Sequence, residues 1–201
     1  GTTQDVACFD DATGSIDITP TGGSGVYTYS WSNGSTNEDL VNLTAGSYVV
    51  TVSDGTLCGE LTAEFIVESP DAIVLTADVA DVLCNDYWYS SNDGSIDLMV
   101  TGGAGNYTYL WSNGSTTEDV ADLSAGMYSV TVSDYNACIE MLTVIIDEPD
   151  PLEIIVIETE PSDCIPSGSV EAIVSGGTGV YSYELVDSAT TNIVESNDTG
   201  Y

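Results

Sequence analysis

A long internal repeat constrains this chain more than any other feature of its sequence. Residues 22–54, which begin with a Gly-Gly pair, recur as residues 102–134 with 23 of 33 positions identical. The opening of the repeat returns a third time at residues 176–185. A regular repeat of this kind predicts a tandem array of small modules, each contacting its neighbours.

The repeat and the proline-containing segments between its copies predict three modules. The first covers residues 1–69 and lacks part of its first strand, the second covers 70–149, and the third covers 150–201 and ends before its last strands. The chain is therefore expected to be a fragment of a longer array. Two prolines, Pro149 and Pro151, predict that the second linker is stiff.

Within a module, short apolar segments alternate with glycine-rich turns. Tyr27, Tyr29 and Trp31 alternate with polar residues, so they should share one face of a strand. Asn33-Gly34 predicts a two-residue hairpin leading into a return strand near residues 36–41. This pattern predicts an all-β fold: tandem immunoglobulin-like or fibronectin-like antiparallel β-sandwich modules arranged as an extended array.

Two aromatic positions support a sandwich. Tyr48 and Tyr128 each follow a Leu-x-Ala-Gly-x segment, which resembles a tyrosine corner, where a tyrosine hydroxyl bonds to the backbone a few residues upstream. Trp31 and Trp111 should fill the core between the sheets.

Five cysteines suggest an oxidising, extracellular setting. Cys8 and Cys84 hold one position of the repeat, and Cys58 and Cys138 hold another. This predicts one bridge inside each module, Cys8–Cys58 and Cys84–Cys138, with the partner of Cys164 outside the chain. Buried free thiols are the alternative.

The order of these motifs resembles the SprB-type repeat of very large surface proteins of Bacteroidota, including gliding-motility adhesins. The resemblance implies export by the type IX route, an extracellular position on the bacterial surface, and a stalk or filament used in adhesion or gliding. Its partners would be neighbouring modules of the same chain, and other copies in a filament. Asp187-Ser188-Ala189 resembles the O-glycosylation motif of this bacterial group, with Ser188 as the acceptor and a chance match as the alternative.

The chain has no Lys, Arg or His, and its 33 acidic residues give a net charge of −33. The charge argues against binding of nucleic acid or anionic membranes, because both need basic residues. No apolar run is long enough for a membrane helix, so direct membrane insertion is not expected. Without His or Lys, most catalytic machinery is missing, and a carboxylate pair is the remaining route to catalysis. The chain is therefore predicted to be a rigid acidic spacer and not an enzyme.

Two groups of residues are candidates for binding. Tyr87, Trp88 and Tyr89 lie in a loop that is longer than in the other modules, and they could stack on surface glycans, which makes a carbohydrate-binding module the alternative function. They could equally cover the contact with a neighbouring module. Calcium is the one cofactor considered, because oxygen-rich turns could hold it; turn formation is the alternative role of the same residues. The candidate ligands are Asp10, Asp11, Asp17, Asp86, Asp93 and Asp97.

Overall fold

The computed structural model describes residues 1–55, 59–85, 92–159, 169–178, 180–186 and 193–197. Every regular element in these residues is a β-strand, and the strand pairs are antiparallel. In the same residues no helix has the length and apolar character needed to cross a membrane.

The chain divides into two compact units. Unit 1 comprises Gly1–Thr76, Leu98–Glu118 and Ser129–Leu142, and unit 2 comprises Ala77–Asp97, Asp119–Tyr128 and Thr143–Tyr201. This division passes through the second repeat. The module boundaries after residues 69 and 149 therefore stay a prediction from the repeat.

The first repeat forms a complete sandwich within unit 1. Its strands are β1 (Thr2–Gln4), β2 (Gly14–Asp17), β3 (Thr28–Trp31), β4 (Leu40–Leu43), β5 (Gly46–Ser53) and β6 (Glu60–Val67). One sheet has the order β1-β2-β4 and the other has the order β3-β5-β6. Apolar side chains from both sheets form one buried cluster, with Ile16 and Leu40 from the first and Trp31, Val50 and Val67 from the second. The predicted immunoglobulin-like sandwich is confirmed.

The two aromatic predictions are also confirmed. The Trp31 side chain is buried, and its Nε1–H donates to the carbonyl of Asn37 at 2.8 Å. The Tyr48 hydroxyl donates to the carbonyl of Thr44 at 2.9 Å, which closes a tyrosine corner. Both contacts satisfy the polar end of a ring whose body packs against the core.

The predicted hairpin at Asn33-Gly34 is wrong. The residues do form a turn, in which the Gly34 N–H donates to the carbonyl of Trp31 at 2.9 Å. However, β3 pairs with β5, whereas β4 pairs with β2 in the other sheet. Only Gly34 of the pair has positive φ, at 86°, while the Asn33 carboxamide oxygen accepts the Ser35 N–H at 3.0 Å. Asparagine therefore acts here through its side chain, as it often does in turns, and the chain crosses to the other sheet.

The second repeat has the same strand order. Its strands are β7 (Val74–Ala80), β8 (Gly94–Thr101), β9 (Thr108–Trp111), β10 (Val120–Leu123), β11 (Gly126–Ser133) and β12 (Ile139–Ile146), in sheets ordered β10-β8-β7 and β12-β11-β9. The buried positions recur as Ile96, Trp111, Val120, Val130 and Ile146. The remaining strands, in unit 2, are β13 (Glu153–Thr159), β14 (Ser169–Ser175), β15 (Ser182–Val186) and β16 (Ile193–Asn197), with β13 paired to β14 and β15 paired to β16.

Candidate functional site at the module junction

A disulfide between Cys8 and Cys138 joins the first repeat to the second, and both residues belong to unit 1. Their Cα atoms are 5.6 Å apart, and the bridge spans 130 positions of sequence. The predicted pairs Cys8–Cys58 and Cys84–Cys138 are therefore wrong. Cys84 is an exposed free thiol, while Cys58 and Cys164 lie outside the described residues.

The geometry of the first sandwich explains why Cys8 bonds to a cysteine of the second repeat and not to one of its own repeat. The Val6 N–H donates to the carbonyl of Glu68 at 3.1 Å, so the chain just before Cys8 lies at the end of β6. Cys58 precedes the beginning of β6 by two residues. Eight residues of strand span roughly 25 Å. A disulfide needs Cα atoms within about 7 Å, so the start of β6 is too far from Cys8 for a direct bridge at that end of the strand.

Asp134 organises the segment that carries Cys138. Asp134 is only 6% exposed, and its carboxylate accepts three backbone N–H groups, from Ala104 at 2.8 Å and from Asn136 and Cys138 at 2.9 Å each. The Asp134 N–H also donates to the carbonyl of Cys138 at 3.0 Å. These bonds close the turn between β11 and β12 and hold Cys138 in place beside Cys8.

Two opposing causes act on the pKa of Asp134. Burial raises the pKa because it disfavours the charged form, but the N–H donors of Ala104, Cys138 and Asn136 stabilise the carboxylate. The result is a pKa below the usual value. The carboxylate therefore stabilises the fold above the pKa of an unfolded aspartate, and this contribution is lost as pH falls through the lower folded pKa.

The variant Asp134→Asn is expected to be less stable than the parent by about 2–3 kcal/mol at pH 7, because charge-assisted hydrogen bonds to the backbone are lost. The difference should shrink below roughly pH 4, where the unfolded aspartate becomes protonated, and it should become small once the folded carboxyl is also protonated. Thermal melting of both proteins between pH 2 and pH 7 measures the stability difference and its pH dependence.

Glu140→Gln provides the matched control, since Glu140 is exposed and lies two residues after Cys138 on β12. It removes one negative charge without removing the N–H contacts of Asp134. A stability difference for Asp134→Asn that did not change with pH would contradict the role assigned to the carboxylate.

The Gly-Gly pair that opens the second repeat lies against the linker. The Gly103 N–H donates to the carbonyl of Asp71 at 2.8 Å, and the Tyr107 hydroxyl donates to the carbonyl of Gly102. Gly102 has a φ of 80°, and a Cβ at this position would overlap the carbonyl of Ala72. The contact therefore requires glycine for both its backbone angle and its close approach.

Gly102→Ala is expected to destabilise the junction by more than about 2 kcal/mol, because left-handed backbone disfavours alanine and the Cβ would overlap the linker. Gly105→Ala is the control, since Gly105 has a φ of 70° but open space around it. Only the backbone penalty should act there, at about 1–2 kcal/mol. Chemical denaturation compares the two variants, and equal losses would contradict the role of the linker contact.

The bridge is supported by polar contacts to the backbone of the first module. The Asn136 side-chain amide donates to the carbonyl of Ala7 at 2.8 Å. Around the bridge is an open cleft of about 440 Å³, lined by Cys8, Pro70, Ile73, Gly103, Asp134 and Cys138 among others. The cleft contains backbone carbonyls and carboxylates but, since the sequence has no basic residue, no side-chain cation.

Most other predicted site residues are not brought together by the described structure. Tyr87, Trp88, Tyr89, Asp86 and Ser188 lie outside the described residues. Among the residues that are described, no group of three Cys, Asp or Glu side chains could hold a metal ion. The carboxylate of Asp93 accepts the Leu83 N–H at 3.2 Å, and Asp10 has a φ of 60°, both of which are features of turns. Calcium binding, for which Asp11, Asp17 and Asp97 were the other candidates, stays a prediction.

Sequence reasoning missed Asp134 as an organising residue. A signal was present, because the aspartate that follows Val-Thr-Val-Ser recurs as Asp54 in the first repeat. There its carboxylate accepts the Ser24 N–H at 3.2 Å, at the position of Ala104. A carboxylate at the end of a strand, opposite a glycine-rich turn, is therefore part of the repeated design.

Comparison with known proteins gives one family and two structural neighbours. Residues 1–36, 76–116 and 156–190 match the family described as the SprB repeat. Three N-terminal domains of the Highly Immunogenic Outer Capsid protein (Hoc) of bacteriophage RB49 are similar at 16% identity with a TM-score of 0.46, over 96% of this chain and 77% of that one. The N-terminal eight Ig domains of Down Syndrome Cell Adhesion Molecule (DSCAM) isoform 1.30.30 are similar at 10% identity with a TM-score of 0.32, over 96% of this chain and 32% of that one. No curated protein matches the chain.

Proposed function

This chain belongs to the SprB repeat family and is a repeat segment of an adhesin-type cell-surface protein, and on that premise we propose that it is a load-bearing spacer. In this role the sandwiches transmit tension along the array and set its reach, and they carry no catalytic residues. The proposal extends to display on the outer surface of a bacterium after type IX export, and to a stalk or filament that serves adhesion or gliding.

The observation that carries this proposal is the Cys8–Cys138 bridge. Tension that enters the chain before Cys8 passes through the bridge to Cys138 without stretching the residues in between. Those residues include every member of the buried core of the first sandwich except Val6. A covalent bypass of this kind protects folded modules from unfolding under load, which is what a spacer under tension requires.

The strongly acidic composition fits a spacer that is surrounded by other copies of the same chain. With a net charge of −33 and no basic residue, neighbouring chains repel one another at close range. At physiological ionic strength this repulsion acts over about 8 Å. It would keep adjacent stalks separate while leaving contacts along one chain intact.

Single-molecule pulling of the whole chain from its two ends tests the proposal. With the bridge intact, the segment between the two cysteines cannot extend, so the stretched chain should be about 45 nm shorter than after reduction, at roughly 3.5 Å per residue. We expect the force peaks that come from unfolding of the residues between the two cysteines to appear after reduction and not while the bridge is intact. A chain that extended to its full length without force peaks under oxidising conditions would contradict a load-bearing role.

Two cysteine variants make the measurement specific. Cys138→Ser should give the full extension without reductant, because no bridge can form with Cys8. Cys84→Ser should leave the shortened extension unchanged, because the Cys84 thiol is free in this chain.

A further inference from the structure

The second junction, which lies in unit 2, repeats the backbone contacts of the first. The Gly177 N–H donates to the carbonyl of Asp150 at 2.7 Å, as Gly103 does to the first linker. The Tyr181 hydroxyl donates to the carbonyl of Gly176 at 2.5 Å. A Cβ at Gly176 would overlap the carbonyl of Pro151. Both junctions therefore place a Gly-Gly pair against a linker through the same backbone contacts.

The two junctions differ at the cysteine. Cys84 occupies the repeat position of Cys8, yet it is an exposed free thiol. It lines a cleft of about 310 Å³ together with Leu152, Gly177 and Tyr181. In the first cleft one wall is formed by residues from Asp134 to Glu140. That wall has no counterpart among the described residues that line the second cleft.

We propose that Cys84 forms a disulfide with the cysteine that a completed third module carries at the repeat position of Cys138. The first junction supplies the geometry, since Cys8 and Cys138 have that relationship and are bonded. The occupant of the open cleft is thus the third-module segment that corresponds to residues 135–138, which follow the Val-Thr-Val-Ser-Asp motif in the second repeat. Every junction of the array is then closed by one bridge between successive modules.

The strands after the second junction support this occupant. Val170 on β14 holds the repeat position of Ile96 on β8. Ile96 is 1% exposed, whereas Val170 is 53% exposed. The apolar face that is buried in the second repeat is therefore open in the third. The strands that would cover it are the same ones that bring the second cysteine to Cys84.

The reaction is an ordinary thiol–disulfide exchange with a low-molecular-weight disulfide as the oxidant. The Cys84 thiolate attacks one sulfur of this disulfide and releases one small thiol, which leaves a mixed disulfide on Cys84. The thiolate of the partner cysteine then attacks the Cys84 sulfur and releases the second small thiol. Two protein thiols are oxidised to one bridge, and one small disulfide is reduced to two thiols.

Successive bridges of this type would overlap along the chain. The loop closed by Cys8 and Cys138 already contains Cys84, so the next loop begins before the previous one ends. No module of the array could then be stretched out without breaking a covalent bond. This property does not depend on which surface the adhesin contacts.

A three-module chain tests the proposal. Residues 1–149 are followed by a second copy of residues 71–149 that carries two substitutions. Within the added copy, Ile139→Val at an exposed position marks the copy by mass, and Cys84→Ser leaves the original Cys84 as the one thiol at that repeat position. After oxidation with glutathione disulfide, unbridged thiols are alkylated and the protein is cleaved after glutamate, since trypsin has no site. We expect a peptide that links Cys84 to the marked cysteine, and at least a tenfold fall in Cys84 alkylation relative to the parent chain.

The Cys8–Cys138 bridge of the same molecule reports whether the first junction has folded. If it forms while Cys84 remains alkylated, or if Cys84 is bonded to another cysteine, the proposal is overturned. If it does not form, the parent chain is mixed with a synthetic peptide of residues 126–146 in glutathione buffer. Capture of this peptide on Cys84 should exceed that of a permuted peptide by at least tenfold, and equal capture overturns the proposal.

Discussion

Replacing Trp111 with alanine is expected to lower the free energy of unfolding of the second repeat by about 3–5 kcal/mol, as large aromatic deletions in cores do. The side chain is almost fully buried, so its removal leaves a cavity that the neighbouring strands cannot fill. It also removes the bond from Nε1–H to the carbonyl of Thr117, at 2.9 Å. Denaturation followed by far-ultraviolet circular dichroism measures the loss.

Leu110→Ala is the matched control for this substitution. Leu110 precedes Trp111 on the same strand, but its side chain is 59% exposed, so the change should cost less than about 0.5 kcal/mol. Trp31→Ala should reproduce the large effect in the first repeat, because that ring is buried in the same way. Similar small losses at Trp111 and Leu110 would show that the tryptophan does not support the core.

Removing the bridge is the second change with a large expected effect. The double variant Cys8→Ser/Cys138→Ser is expected to lose about 2–5 kcal/mol of stability, because the unfolded chain is no longer closed into a long loop. Melting temperatures of the oxidised parent and of this variant measure the loss. Addition of a phosphine reductant should lower the melting temperature of the parent and leave that of the variant unchanged.

Cys84→Ser separates the observed pairing from a bridge inside the second repeat. Because Cys84 is free and exposed, serine should leave the melting temperature unchanged. A loss as large as that of the double variant would mean that Cys84, and not Cys8, is the partner of Cys138.

The parts of the fold that depend on local sequence could be predicted. Trp31 and Tyr48 have roles that follow from strand alternation and from a short recurring motif, and the structure confirms both. The strands themselves follow from apolar alternation between glycine-rich turns. These features need only neighbouring residues, so one sequence is enough to identify them.

The disulfide could not be predicted in the same way, because the repeat positions of the cysteines do not show at which end of the sandwich each one lies. That depends on the path of the chain after the turn at Asn33-Gly34. With a hairpin at Asn33-Gly34, the chain would cross the sandwich from end to end an even number of times between Cys8 and Cys58. The two cysteines would then lie at the same end of the sandwich. In the structure, residues 32–39 make an additional pass before β4. The carboxylate of Asp39 accepts the Ile18 N–H at 3.0 Å, which places the start of β4 at the far end of β2. The extra pass places the end of β5 at the opposite end of the sandwich from Cys8, and the partner of Cys8 comes from the second repeat.

The backbone contact between each Gly-Gly pair and a linker also affects how the number of modules can change. Both junctions use backbone atoms of the linker, through the carbonyls of Asp71 and Asp150, and the glycines that meet them are present in every copy of the repeat. One repeat can therefore follow another without matched side chains at the contact. Gain or loss of a whole repeat by recombination between similar gene segments would leave every remaining junction intact. Lineages could thus alter the length of the array while conserving its fold.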